Sequence, residues 1–318
     1  MNKTPRSAEP GWRIRSCLPP LTILFVVAAV QHTAYGARQP DELMEQLWVE
    51  PADISSRDLF HGRGGKALVP DPRVTYRFKK YEASGHSKGY EVEDAGGRTW
   101  KVKVGNEAQA EIAVSRILWA IGYHQPVLHY LPRWRMSGGP SNGGLPGRFR
   151  LESGQVKLGE WKWRSIPVAG TRPWRGLVIA NLLLNNWDLA TSNNRVYQSN
   201  GKTKYVVQDV GGSLGKTGWP IGTRNDIEDF ESQGFVKKVE EGRVVLDYHA
   251  RHRDLLKEIT PADVVWTCRL LSRLTDRQLT DAFRAAGYPR GIRERYTRKI
   301  REKIREGLEL EAHARRAQ

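Results

Sequence analysis

Asp188 and Asn193 stand five positions apart in LLLNNWDLATSNN (182–194), where an apolar run breaks into a patch of amides around one carboxylate. A further oxygen donor, Asp209, follows in VVQDVGGS (206–213), at the end of an apolar strand pattern and just ahead of Val210, Gly211 and Gly212. A carboxylate beside glycines is open to approach. A carboxylate together with an amide oxygen is a hard-oxygen set, suited to magnesium rather than zinc. Phosphoryl transfer uses such a set: an Asp and an Asn hold the magnesium ions that bridge nucleotide phosphates, and a second Asp orients or deprotonates the acceptor hydroxyl. The same chemistry asks for a strand lysine on the phosphates and a helix glutamate that fixes the lysine.

The elements that would position these groups can be read from periodicity. Residues 74–83, 89–95 and 98–105 alternate β-branched and aromatic residues with polar ones, and glycine-containing turns at 84–89 and 96–97 separate them. They predict an antiparallel meander. A helix follows, with Asn106 as N-cap, Glu107 in the first turn, an apolar face of Ala110, Ala113, Val114, Ile117, Leu118 and Ile121, and Gly122 at its end. Strand patterns at 126–131 and 148–152 flank a glycine-rich loop, 137–147. Residues 175–187 read as a buried helix, and Asn200-Gly201 as a hairpin turn between RVYQ and KYVVQD. Residues 210–260 have poor periodicity. Thr260-Pro261 and Thr275 start two helices, and a last helix carries Ile292, Tyr296, Ile300, Ile304 and Leu308 as a stripe expected to dock on a core.

D-x-x-x-x-N, a hairpin and then D-x-G resembles the catalytic and metal-binding loops of the protein-kinase-like superfamily. The element order over about 74–285 follows the same superfamily, nearest to its atypical branch of HipA-type and secretory-pathway kinases. The resemblance implies an α+β, two-lobed kinase-like fold. A small antiparallel sheet plus helix forms the N-lobe (74–152), and a mainly helical C-lobe (153–318) carries the two loops on a hairpin. It implies ATP and Mg²⁺ as cofactors, with Asp188 as catalytic carboxylate and Asn193 and Asp209 as metal ligands. Lys103, or else Lys101 on the same strand face, would be the phosphate-binding lysine, paired with Glu111 or else Glu107. SGHSKG would cover the phosphates, offering backbone N–H groups from Ser84, Gly85, Ser87 and Gly89. The chain departs from the family pattern. It lacks G-x-G-x-x-G and A-P-E, Asn186 and Trp187 stand where His and Arg precede the catalytic Asp, and Val210 replaces the metal-loop aromatic. These departures fit an atypical kinase and equally a pseudokinase that binds nucleotide or a partner without transfer.

The bulk numbers bound the partners. The chain has 318 residues and a net charge of +16, which suggests anionic partners and leaves a basic polyanion-binding module as a third reading; nucleic acid is not favoured among them. Tryptophans interleave with basic residues in RWR and WKWR, a pattern for base stacking or, more commonly, for a core anchor. His249 and His252 read as surface residues. Residues 1–36 have a secretory layout. Lys3, Arg6, Arg13 and Arg15 precede an apolar core at 21–30, and Ala34 and Gly36 mark a cleavage site. Cleavage would lower the net charge to +13, leave Cys268 alone and release the chain as an exported (periplasmic or secreted) protein; the uncleaved alternative is a membrane anchor. An extension, 37–73, precedes the sheet. The acceptor, whether protein or small molecule, is not specified by any of these residues.

Overall fold

The structure is a computed structural model that describes residues 40–82, 89–139, 145–152, 154–218 and 220–316. The export-signal reading (1–36) and three members of the proposed covering loop, Ser84, Gly85 and Ser87, lie outside these residues. A short helix, α1 (Pro40–Met44), opens the described chain. The N-terminal sheet is built from β1 (Thr75–Glu82), β2 (Gly89–Glu93), β3 (Thr99–Val104), β4 (Leu128–Leu131), β5 (Arg135–Ser137) and β6 (Gly147–Leu151), with α2 (Glu107–Ala120) between β3 and β4. The strand order is β4-β6-β3-β2-β1-β5. The first three strands form the antiparallel meander that their alternation predicts.

The sheet is mixed rather than purely antiparallel, because β5 runs parallel to β1, with Thr75 opposite Arg135. β5 is three residues long, too short to register as a strand pattern, and it is held there by Met136, which is buried with Tyr76, Val92, Trp100, Val102, Trp134 and Phe149. Alternation along β3 sends Trp100 and Val102 into that cluster and leaves Lys101 and Lys103 on the opposite face.

Helix α2 has its expected apolar face and more: Glu111, Ser115 and Arg116 are buried as well. The 45–68 segment covers its outer side. Trp48 Nε1 donates to the Ile121 carbonyl at 2.8 Å, and Arg116 reaches the Leu128 carbonyl at 2.8 Å. Burial pushes the Arg116 guanidinium down to about 10. Asn106 occupies the N-cap position without capping. Its side-chain oxygen instead accepts from Asn225 Nδ2 at 2.9 Å, so that competing bond corrects the expected role. Gly122 ends the helix as expected; its φ of 106° and the nearby Val49 carbonyl leave no room for a side chain.

The C-terminal part begins with β7 (Val156–Gly159) and α3 (Arg172–Leu183), followed by the hairpin β8 (Asn194–Ser199) and β9 (Lys202–Val207). β7, β8 and β9 pair in that order. The turn at Asn200-Gly201 has φ of 50° and 72°, the left-handed pair that a two-residue hairpin needs. The region of poor periodicity holds α4 (Ile227–Ser232) and a second hairpin, β10 (Val236–Glu240) with β11 (Arg243–Leu246). Helices α5 (Pro261–Ser272), α6 (Asp276–Ala285), α7 (Arg290–Leu308) and α8 (Glu311–Arg316) complete the chain. Thr260 and Thr275 both form capping boxes, as their sequence contexts predict. Tyr296, Ile300 and Ile304 of α7 are buried in the main core, so the terminal stripe docks. The described residues form an α+β protein, a curled sheet with one long helix followed by a mainly helical part that carries five strands of its own. No helix among the described residues is long and apolar enough to cross a membrane.

Candidate functional site

Helix α3 ends in a sequence that cannot continue it. Asn185 takes a left-handed φ of 53°, affordable for asparagine because its short side chain bonds locally. Its Nδ2 donates to the Gly215 carbonyl at 2.7 Å, and its Oδ1 accepts from Lys303 Nζ at 2.7 Å. Asn186 then links helix to loop: Nδ2 donates to Asn181 Oδ1 at 2.8 Å and Oδ1 accepts from the Asp188 backbone N–H at 3.1 Å. The amides that looked unusual in the sequence are the hardware of this turn. Asp188 emerges half-buried, and its carboxylate takes no hydrogen bond or ion pair among the described residues. Tyr248 sits near it. Burial, and then the Asp188 charge, push the tyrosine hydroxyl well above its ordinary value.

Asn193 ends a 3₁₀ turn, Thr191–Asn193, and ties the two loops together. Its Nδ2 donates to the Asp188 carbonyl at 2.8 Å, and its own carbonyl accepts from the backbone N–H groups of Gln208 and Asp209 at 2.8 and 3.2 Å. With the amide nitrogen committed, Oδ1 is the atom of Asn193 left to face a cation. Asp209 follows β9. Its Oδ1 accepts from the Gly211 N–H at 3.1 Å and its Oδ2 from Lys103 Nζ at 2.7 Å. Burial opposes ionisation of Asp209, and the adjacent Lys103 ammonium more than offsets it, so the carboxyl is held below its usual range.

Lys103 is the hub. Its Nζ lies 2.7 Å from Asp209, 2.7 Å from Glu107 and 3.5 Å from the fully buried Glu111. The two glutamates are one helical turn apart and both reach the strand. Glu111 is shared with Arg148 of β6, whose Nε is 3.0 Å away. Lys101 is engaged elsewhere, with Glu82 at 3.3 Å and Glu152 at 3.9 Å. Glu107 also pairs with Arg224, whose guanidinium lies over the Trp187 ring at 4.8 Å. A chain of charge and ring contacts therefore joins the residue before Asp188 to the start of α2.

Lys103, Asn193, Asp209 and Gly89 line one cavity of about 310 Å³, at the small end of ligand pockets. Asp188 and Glu111 are absent from its lining: Asp188 is tied to it through Asn193, which bonds the Asp188 carbonyl, and Glu111 pairs with Lys103. Two glycines let the parts close up. A Cβ on Gly211 would sit 2.8 Å from Glu107 Cβ, and one on Gly212 would sit 2.9 Å from Asp188 Cβ. The D-V-G-G stretch is thus glycine where the loop after β9 presses on α2 and on the Asp188 loop.

Several site residues escaped the sequence reading. Arg148, Arg150, Lys157 and Arg195 also line the cavity. A cation on a strand reads as solvated, and only the R-F-R alternation on β6 hinted that two guanidinia share a face. The tryptophans of WKWR are buried scaffold rather than stacking platforms. Trp161 Nε1 donates to the Val206 carbonyl at 3.1 Å and Trp163 Nε1 to the Leu189 carbonyl at 2.9 Å. One short segment thereby fixes the approach to Asp209 and the exit from Asp188. His249 and His252 are exposed, as expected.

The residues fit a magnesium-bound phosphate at one end of the cavity. Asp209 and the uncommitted Oδ1 of Asn193 are hard oxygens, and Lys103 supplies a cation beside them. Among the described residues no group of three or more His, Cys, Asp or Glu side chains is placed to hold a metal, so this Asp–Asn pair is the donor set available. A purine needs apolar or aromatic walls, whereas the rest of the lining among the described residues is mostly charged.

Fold and cavity together define an α+β protein in which a strand lysine meets helix glutamates and a loop aspartate at the junction of sheet and helical part. In shape the chain is similar to the Helicobacter pylori proinflammatory kinase CtkA, with a TM-score of 0.49 and 11% identity over 76% of this chain and 96% of that one. It is also similar to the maize SIRK1 (sucrose-induced receptor kinase 1) kinase domain bound to AMP-PNP, with a TM-score of 0.27 and 14% identity over 77% of this chain and 97% of that one. No family model matches the chain, and no curated protein does.

Proposed function

We propose that the chain is a kinase-like phosphotransferase that moves a phosphoryl group from a magnesium-bound phosphate donor, ATP by family resemblance, to an acceptor hydroxyl. The observation that carries the proposal is the convergence on Lys103: a strand amine, the first turn of the next helix and a loop carboxylate 106 positions away meet within 2.7 Å. In this reading Lys103 binds the donor's phosphates, and Glu107 and Glu111 keep its ammonium oriented. Asp209 and Asn193 hold the metal, which would neutralise charge on the phosphates. Gly89, on the cavity wall, brings backbone close to the donor. Asp188 takes the proton from the acceptor hydroxyl onto its free carboxylate. Export of the mature chain from Ala37 onward is part of the proposal.

A second reading, binding without transfer, is favoured by one observation. Asp188 lies outside the cavity lining that Lys103, Asn193 and Asp209 share. Both readings are tested on the purified full chain with Mg-ATP and with magnesium omitted. Transfer predicts magnesium-dependent phosphorylation of the protein or an added acceptor. Asp188→Asn should lower it by about 10²–10⁴-fold, the contribution of a positioned proton acceptor, with donor affinity retained. Donor-dependent thermal stabilisation without any transfer selects the second reading. An Asp209→Ala protein that folds and keeps full magnesium-dependent stabilisation sinks both.

A further inference from the structure

The cavity has a second end. In the register of β3 with β6, Lys103 lies opposite Arg148 and Lys101 opposite Arg150, so four cations form a block on one sheet face. Like charges directly across a ladder are destabilising. Lys157 of β7 and Arg195 of β8 approach the same space from the helical part. The carboxylates nearby do not close the account. Glu111 is buried behind Arg148 and Lys103, and Glu82 holds Lys101. Glu152 is 3.9 Å from Arg150 and Glu160 is 3.1 Å from Arg195; both are largely solvent-exposed, where pairing is weak. Among the described residues Lys157 has no ion-pair partner; burial, and then the charges of Arg195, Lys101 and Arg150, disfavour its ammonium, against a smaller pull from Glu152.

The donor atoms make the same point. The Nε atoms of Arg150 and Arg195 are buried and take no hydrogen-bond acceptor among the described residues, while Arg148 Nε faces only the shared Glu111 carboxylate. The Arg148 side chain is only 6% exposed. Buried guanidinium donors without acceptors are costly unless something else supplies the oxygen. Arginine's planar fork matches the oxygens of phosphate and carboxylate. The one aliphatic residue among the described lining residues, Val102, turns its side chain to the core on the other face of β3.

We propose that this end is a second anion subsite, and that the cavity takes a compact, base-free polyphosphate along its length, one phosphate at Lys103 and another at Arg150 and Arg195. The assignment rests on the phosphate role of Lys103 proposed above and replaces the nucleoside part of the donor with further phosphate. The probe is inorganic tripolyphosphate, titrated into the full chain with Mg²⁺ and followed by calorimetry, alongside Mg-ATP and adenosine. Tripolyphosphate should bind at least as tightly as ATP, and adenosine should not bind. The double variant Arg150→Gln/Arg195→Gln should weaken tripolyphosphate at least tenfold. Lys157→Gln, on an exposed strand position that tolerates substitution, should weaken it several-fold. ATP binding tenfold tighter than tripolyphosphate, saturable adenosine binding, no binding of tripolyphosphate, or unchanged affinity in a folded Lys157→Gln or Arg195→Gln protein overturns the subsite. Asp209→Asn separates the two ideas. If it leaves magnesium dependence intact while the arginine variants lose tripolyphosphate, the anion subsite stands and the metal-site proposal falls.

Discussion

Two lysines are held inside this molecule in opposite ways. Lys103 sits among three carboxylates, with its side chain 14% exposed, on the wall of a cavity. Lys303 of α7 is fully buried and forms no ion pair among the described residues, Glu306, Asp247 and Glu302 acting on it only from a distance. Its Nζ donates to Asn185 Oδ1 at 2.7 Å and to the Leu183 carbonyl at 3.3 Å, and it lies 4.4 Å from the centre of the Phe230 ring. Burial, and then repulsion from Lys299, push the Lys303 ammonium down to about 7. Lys303 plugs the C-terminal end of α3, where carbonyls lack helical partners and the helix dipole favours a cation. In the proposed function Lys103 is held ready for an incoming anion; Lys303 is a cap that happens to be titratable.

The sharpest way to break that contrast is to remove a carboxylate from the first lysine's surroundings. Glu111→Ala leaves Lys103 and Arg148 buried without their shared counter-charge. Uncompensated buried charge typically costs about 3–5 kcal/mol, and urea unfolding should register a loss of that order. A loss below about 1 kcal/mol would mean that Glu107 and Asp209 suffice and that Glu111 is packing. The second lysine predicts the reverse. Lys303→Met keeps much of the volume and deletes the charge, so at pH 6 it should be neutral or stabilising, by up to about 4 kcal/mol.

The pH dependence follows with a definite sign. Lys303 has a folded value of about 7 and an unfolded value in the ordinary lysine range. Below 7 both states are protonated and the full cost of burying the charge is present. Above 7 the unfolded chain holds one proton more than the native one, so this residue makes stability rise with pH until the unfolded amine also titrates near 10.4. The difference between wild type and Lys303→Met should therefore shrink from pH 7 towards pH 10. A constant difference would mean that the native amine keeps its proton across that range, as a solvated ammonium would.

The same contrast explains what the sequence made legible. Asp188, Asn193 and Asp209 announced themselves because an apolar helix, an Asn-Gly turn and a glycine pair leave few alternatives for the residues between. The helices of the C-terminal part were readable from caps and stripes, since Thr260, Thr275 and the α7 periodicity act locally. The β10–β11 hairpin was hidden because its turn is Glu241-Gly242, with Glu241 at a left-handed φ of 49° that few would assign to glutamate. The basic end of the cavity was hidden for a different reason. Arg148, Arg150, Lys157 and Arg195 come from three strands of two different sheets, and only the tertiary arrangement brings them to one cavity.

Glycines offer a finer test of the difference between the regions. Gly212→Ala would push its Cβ to 2.9 Å from Asp188 Cβ and 3.3 Å from Asn186 Oδ1. The loop must shift to relieve this, at a stability cost on the order of 1–3 kcal/mol. Any phosphoryl transfer should fall further than stability alone explains, since misplacement by about 1 Å can cost 10²-fold in rate. Unchanged transfer by a folded Gly212→Ala protein would dissociate Asp188 from the reaction.

The smallest effect is expected at Gly291, in the first turn of α7, where an added Cβ meets nothing within 4 Å. Here the chain is already helical, so alanine only reduces the freedom of the unfolded state and improves helix propensity. Gly291→Ala should stabilise the protein by about 0.4–1 kcal/mol in urea unfolding, towards the low end because the position is near the helix start. Tripolyphosphate affinity and transfer rate should be untouched. A change in either would couple α7 to the cavity, and the path would be the one already in place: α7 carries Lys303, Lys303 holds Asn185, and Asn185 begins the loop that presents Asp188. The division between a structural lysine and a functional one would then have to be given up.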